Sequence, residues 1–412
     1  MDIQKEWFSI GEKYGTSINE MLAFVDKHGW DNWKDGEMED TRQNLADTVF
    51  QRLKEANQEN KTEEFRQSYP PSHAPFGDML EKKGQCLEMF CFIEHQRIVF
   101  FRGTSYQKRQ AYLLDGDQVI ELDSEIYAIG KSMQNNVFAI ATAGKICTYQ
   151  NWEGHLIREF HLKETATIGI TQLIPFNDGQ KVLLVSSSGI YLLTAEDEKL
   201  IHPIKEEDDD DEDFSEIDME NATLSNNNQY IVAGDQCRDH QIMDANGNPI
   251  AVVCCHSSYP HYCLFSKDDS QLITNSCHFY NGVTIGVNTN EMDQIEKETS
   301  SDEGNFVFID ETMRVYAGVA TSDYYILGDA YGYIKAFDKE GKTLWRHFLG
   351  STIGGMAISD DEKTLWVGSC SGMLHKLQLG KGHRDTHTIG NGEHYEEFRL
   401  IIWKDEPQIW KW

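Results

Sequence analysis

The chain is 412 residues long and carries 68 acidic against 37 basic side chains, a formal charge of −31. Hydrophobic residues make up 40%, enough for a packed core, which argues against disorder along the whole chain. So negative a chain repels phosphates and anionic lipid; nucleic acid and membranes are therefore not expected as partners, while basic proteins and cations are. No apolar stretch follows Met1 and no run approaches about 18 apolar residues, so neither a signal peptide nor a membrane span is expected. Nine cysteines at irregular spacing suit free thiols in a reducing, cytoplasmic compartment.

Helical periodicity is confined to the N-terminal part. Ser17 and Glu20 have capping-box spacing ahead of an apolar face of Ile18, Met21, Leu22 and Val25, with Gly29 as a stop. A second helix is expected from about residue 41 to 57, where Leu45, Val49 and Leu53 recur every four residues beside Phe50, and the polar stretch 58–67 could extend it. Pro70, Pro71 and Pro75 then end helix formation. The expected organisation is a helical segment with a Pro-rich joint over residues 1–83, then one β unit over 84–412 with an acidic insertion at 205–220.

From about Gln85 the chain repeats itself. Segments starting at Ser225, Ser266 and Ser359 share a Ser, a polar turn with Asn or Asp, a short apolar strand, and Gly or Asn at one offset. Weaker copies start at Ser132, Asn177 and Glu94. A glycine then opens an alternating strand at Gly144, Gly189, Gly332 and Gly372. Seven polar turns follow at Asp115, Asn151, Glu196, Asp244, Asn288, Asp338 and Gly380, roughly 36 to 50 residues apart, the period of a four-stranded unit. One such sheet cannot bury both faces, so copies must stack around an axis. The expected fold is mainly β, a seven-bladed propeller (six and eight blades also fit the spacing) with a small N-terminal helical segment. The strand at Arg399 to Trp403 either completes a blade begun elsewhere and closes the ring, or packs as a tail.

The stretch from Ala336 to Trp345, with Asp338, Gly341 and Lys342, resembles the outer-strand repeat of quinoprotein (PQQ)-like propellers, in which a Trp docks one blade on the next. The Ser-x-Asp turns, and Gly368 with Ser369, resemble degenerate WD40-like blades. The resemblance covers the propeller at the level of fold. It implies radial blades and a platform for binding proteins, and no chemistry.

The run Glu206, Glu207, Asp208, Asp209, Asp210, Asp211, Glu212, Asp213 cannot pack against itself and reads as a solvated loop. Beyond solubility, it offers an electrostatic contact for a basic protein, with Phe214 and Ile217 as apolar anchors; a calcium site lacks the glycine a tight loop needs. Cys254, Cys255, His256, His261, Cys263, Cys277 and His278 collect soft ligands without a C-x-x-C pair and read as structural thiols and satisfied imidazoles. His383, His387 and His394 fall in a Gly-rich stretch expected to be a long surface loop. Asp268, Asp269, Asp360, Asp361 and Glu362 occupy repeat turns. Trp403, Trp410 and Trp412 are expected to pack on the last blade.

No nucleophile elbow, phosphate loop or zinc-protease motif occurs. No catalytic residue, metal ligand or cofactor is therefore expected. The function the sequence favours is non-enzymatic: a propeller that binds a basic protein through its acidic surface, as an immunity-type inhibitor of a toxin or as a scaffold. The rival is a metal-dependent hydrolase or lactonase with its site in the central channel.

Overall fold

A computed structural model describes residues 2–34, 36, 38–162, 169–204, 216–290, 306–382 and 385–412. Blade one comprises β1 (Leu87–Glu94), β2 (Arg97–Arg102), β3 (Gln110–Asp115) and β4 (Gln118–Glu121); blade two β5 (Ala128–Lys131), β6 (Val137–Thr142), β7 (Lys145–Gln150) and β8 (His155–His161). Blade three holds β9 (Ile170–Pro175), β10 (Val182–Ser186), β11 (Gly189–Leu193) and β12 (Glu198–His202); blade four β13 (Asn221–Leu224), β14 (Tyr230–Asp235), β15 (Arg238–Asp244) and β16 (Pro249–Val253). Blade five has β17 (Tyr259–Phe265), β18 (Gln271–His278), β19 (Asn281–Asn288) and β20 (Phe306–Asp310); blade six β21 (Val315–Ala320), β22 (Tyr325–Asp329), β23 (Tyr333–Phe337) and β24 (Thr343–Phe348). Blade seven is β25 (Ile353–Ile358), β26 (Thr364–Ser369), β27 (Met373–Gln378), β28 (Tyr395–Ile401) and the short β29 (Trp410–Lys411).

Each sheet is antiparallel and in sequence order, and the first strand of each blade lies beside the first strand of the next, β25 against β1 included. The fold is a seven-bladed β-propeller. All seven polar turns join the third to the fourth strand of a blade, which is why their spacing counts the blades.

The second strands read as unbroken apolar runs, Ile98 to Phe101, Val182 to Val185 and Leu365 to Val367, because a neighbouring sheet covers each face. Apolar clusters fill every seam. Ile174, Leu183 and Ile201 of blade three meet Leu224, Ile231 and Met243 of blade four; Leu87, Ile98 and Phe100 of blade one meet Trp366, Leu374 and Leu400 of blade seven. Each such side chain contributes about 1.5–3 kcal/mol on burial.

The repeated serine closes the turn between first and second strands. Ser225, Ser266 and Ser359 each accept a hydrogen bond from the backbone N–H five residues on and donate to the Asn or Asp two residues on. The left-handed residue that ends each turn is Asn228, Asp269 or Glu362.

Blade seven draws its strands from one stretch of chain. Residues 399–401 belong to β28, its fourth strand, so the ring does not close by a strand borrowed from the C-terminus. It closes by packing: Phe90 of β1 sits where a side chain on Gly355 or Gly368 of blade seven would have to be.

The described residues of the N-terminal segment form four α-helices, α1 (Ile3–His28), α2 (Ala46–Gln58), α3 (Thr62–Ser68) and α4 (Gly77–Lys83). The first begins fourteen residues before the Ser17 box, capped by Asp2, whose carboxylate accepts from Lys5 N. Ser17 lies in mid-helix. Gly11 and Gly15 disguised the first half: a methyl at Gly15 would lie 2.6 Å from Thr386 O, so Gly15 admits the loop between β27 and β28, while Gly11 makes room for the Arg42 guanidinium and, after it, His387. Residues 41–45 are a 3-10 turn leading into α2, α3 is a separate helix rather than an extension, and α4 follows the prolines.

Trp403, Trp410 and Trp412 are buried, in one cluster with Trp7, Phe50, Phe65 and Phe76 of the helical segment and Met373 and Ile401 of blade seven. Every buried indole N–H in this group finds an acceptor, Trp7 on Pro70 O, Trp403 on Ser371 O, Trp410 on Glu406 and Trp412 on Tyr69 O. Asn57 of α2 pairs reciprocally with the Lys411 backbone and so covers the open edge of β29. Among the described residues no helix is long and apolar enough to cross a membrane.

Candidate interaction face

Strand direction sorts the connections onto two ends of the ring. First-to-second and third-to-fourth turns leave at one end; second-to-third turns and the links between blades leave at the other. Exposed aromatic residues collect at this second end. Tyr106 follows β2, Phe279 and Tyr280 join β18 to β19, and Tyr331 joins β22 to β23. They are 65%, 68%, 65% and 52% exposed. Large aromatic side chains this open, gathered at one end, make that end the candidate contact surface. The rings of Tyr280 and Tyr331 lie 6.1 Å apart, from neighbouring blades five and six.

The link from β12 to β13 emerges at the same end. Glu206 to Phe214 fall outside the described residues; the base of the insertion, 216–220, is described. Glu216 and Asp218 are exposed, while Ile217 is buried in the seam between blades three and four. Ile217 thus anchors the insertion to its own fold and is not open to a partner. Glu220 is buried, and desolvation pushes its carboxyl up to about 7. The Tyr106 phenol is raised by partial burial and then by the Glu220, Asp218 and Glu216 carboxylates, so blade one's loop lies in their field. On the other side Arg314, ahead of β21, reaches Met219 Sδ at 3.8 Å and also donates to His261 Nε2 at 3.1 Å and Phe279 O. The foot of the acidic insertion therefore touches the lead-in to blade six and acts electrostatically on blade one's loop.

The soft-ligand group does not converge. His261 Nδ1 donates to Val315 O at 2.6 Å, His278 Nδ1 bonds Ser258 Oγ at 2.8 Å, and His256 packs on Phe306 and Phe308. Burial pushes the Cys255, Cys263 and Cys277 thiols up. Among the described residues no group of three or more His, Cys, Asp or Glu is placed to hold a metal. The His202–Asp235 pair, 3.0 Å apart, is closed to solvent on both sides and holds blade three to blade four.

The acidic repeat turns face the opposite end and staple blades together. Asp269 accepts from Asn226 and Asn227, Glu362 from Ser322, and Asn177 bonds Asn226 and Asn228. Asp268 pairs with Lys339 and Asp361 with Ser359, whereas Asp360 takes no part in the staples. The loop before β28 is not a free surface loop: residues 385–391 pack on α1, with Asn19 donating to Thr388 O and accepting from Gly390 N. His387 and His394 enter a cleft there, and His383 lies outside the described residues.

The exposed aromatics were missed in the sequence because turn aromatics carry no spacing; only topology brings blades one, five and six to one end. A scan against protein-family models finds no match, and a search of curated proteins finds none.

Proposed function

We propose that this propeller is a non-enzymatic interaction scaffold that binds a basic protein at the end carrying Tyr106, Phe279, Tyr280, Tyr331 and the acidic insertion. The observation that carries the reading is the meeting of exposed aromatics with Glu216 and Asp218 on one face. Aromatic rings supply contact area and cation–π partners for Arg and Lys, and carboxylates supply sign selectivity and speed of encounter. The insertion 205–215 adds Glu206 to Asp213 to the same link. A basic toxin held by an immunity-type inhibitor and a basic protein held by a scaffold would both use such a face. The channel-hydrolase reading gains no observation among the described residues.

The test is capture of basic proteins at about 50 mM and about 500 mM salt, where screening differs several-fold. Capture should fall at high salt, with Phe279→Ala and Tyr280→Ala, and with Glu206 to Asp213 changed to their amides. Capture that ignores both salt and these changes refutes the proposal.

A further inference from the structure

We propose that the cleft between the helical segment and blades six and seven binds a small organic molecule bearing an oxyanion, a carboxylate or a phosphate. The cleft has a volume of about 300 Å³, lined among others by Tyr14, Arg66, His73, His387, His394 and Arg399. This is the small end of ligand pockets and suits a metabolite-sized occupant rather than a polymer.

Its donors are built and left over. Arg399 gives Nε and Nη2 to Glu396 at 2.7 and 2.8 Å, while Nη1 is buried with no protein partner. His73 Nδ1 and both ring nitrogens of His387 are likewise buried and unpartnered. Folded proteins rarely leave such atoms without a partner, and here four of them line one cleft; a neutral imidazole offers one donor and one acceptor, so His387 contributes one donor beside its acceptor nitrogen. Arg66 and Arg399 both pair with Glu396, and Arg66 also donates to Trp412 O at 2.7 Å, so the donor left over is Arg399 Nη1. Arg42 is taken by Asp40, and Asp385 on the cleft wall, which accepts from His387 N and Thr388 Oγ1, also acts on Arg66 electrostatically, so the unpartnered donors rather than net charge select the ligand. Burial and then Arg399 push His73 down to about 3, which keeps it a neutral N–H donor. An oxyanion is the ligand that satisfies guanidinium and imidazole donors together.

The full chain is heated with inorganic phosphate, with succinate, or with sodium chloride at matched ionic strength. One anion should raise Tm in a concentration-dependent way that sodium chloride does not reproduce. A phosphate response assigns a phosphate ester, a succinate response a carboxylate. His73→Leu and His387→Leu each remove an unpartnered ring, so basal Tm should hold or rise while apparent affinity falls about tenfold or more. No response to either anion overturns the proposal, as does a response that survives both substitutions.

A separate observation concerns ring closure. Cys86 Sγ and Cys370 Sγ are in contact at 2.7 Å, 284 residues apart in sequence and both half-buried. Cys86 immediately precedes β1 and Cys370 immediately follows β26, so the pair bridges the one seam where the chain's two ends of the ring meet. We infer that these thiols are a redox site, oxidised by a low-molecular-weight disulfide such as oxidised glutathione. One thiolate displaces glutathione to form a mixed disulfide and the second displaces the other glutathione, so that the two thiol protons pass to the two glutathiones that leave as thiols. The Cys86 thiol is pushed up by its bond to Cys370 and by burial, so the reaction should be slow at neutral pH and faster at alkaline pH. After treatment, a peptide linking residues 86 and 370 should appear with loss of about 2 Da, and Cys370→Ser should stop at a glutathione adduct on Cys86. Persistent mixed disulfide in the unaltered chain, or linkage through other cysteines only, overturns the inference.

Discussion

The Asp269 carboxylate of blade five accepts from the backbone N–H and the side-chain amide of Asn226 in blade four, each at 2.7 Å. It accepts a third bond from Asn227 N at 2.8 Å. Asp269 also holds φ at +58°, so one residue both ends its own turn and staples the neighbouring blade. Asp269→Ala should cost about 1–3 kcal/mol from lost charge-assisted bonds. Asp269→Gly should cost about 1 kcal/mol less than Ala because the left-handed backbone is relieved. Urea unfolding of the two variants measures the difference.

Gly15→Ala should destabilise by about 1–3 kcal/mol, although alanine is the better helix former. A methyl there meets Thr386 O, a backbone atom that cannot swing away. Gly77→Ala, at the start of α4 with nothing within 4 Å, should be neutral or gain up to about 1 kcal/mol. Thermal melts of the pair show whether packing or propensity governs.

Trp412→Ala empties the centre of the cluster formed with Trp7, Phe65 and Phe76 and should cost about 3–5 kcal/mol. The loss should fall on the docking of the helices. Limited proteolysis should cut within residues 2–83 first, with the blades still protected.

Glu220 has a folded-state value of about 7, above its ordinary 4.5, so the folded chain holds its proton more tightly than the unfolded one. Its contribution to stability is full below about pH 4.5 and is lost as pH rises through about 7. The shift sets an upper bound of about 3 kcal/mol. Glu220→Gln should therefore gain on the unaltered protein between pH 5 and 8, read as the difference in urea midpoint at each pH. His240, with burial holding it down to about 3, acts in the opposite sense and destabilises on acidification below about 6.5 in both proteins.

Phe279→Ala and Tyr280→Ala should leave stability within about 0.5 kcal/mol because the rings are exposed. A weakened capture of basic protein with an unchanged melt separates recognition from folding.

The blade count was legible because one physical requirement repeats. The best-kept blades mark a serine-closed first turn, a glycine before the third strand or a polar turn before the fourth, and these recur at Ser225, Ser266 and Ser359, at Gly332 and Gly372, and at Asp244 and Asp338. The helical face of Ile18, Leu22 and Val25 was legible for the same reason, a period of 3.6. The true start of α1 was hidden by Gly11, which makes room for Arg42, and by Gly15, whose value lies in a loop about 370 residues away.

Alternation, turn chemistry and charge act over a few residues, and so blade number, strand order and the acidic insertion can be read along the chain. Which aromatics share a face, whether the strand at Arg399 completes a blade begun elsewhere, and which donors are left over in a cleft depend on groups distant in sequence. Tyr106 and Glu216, or His73 and Arg399, become neighbours only when seven seams and the docked helices are packed, because burial and unmet hydrogen bonds exist only between surfaces that folding has brought together.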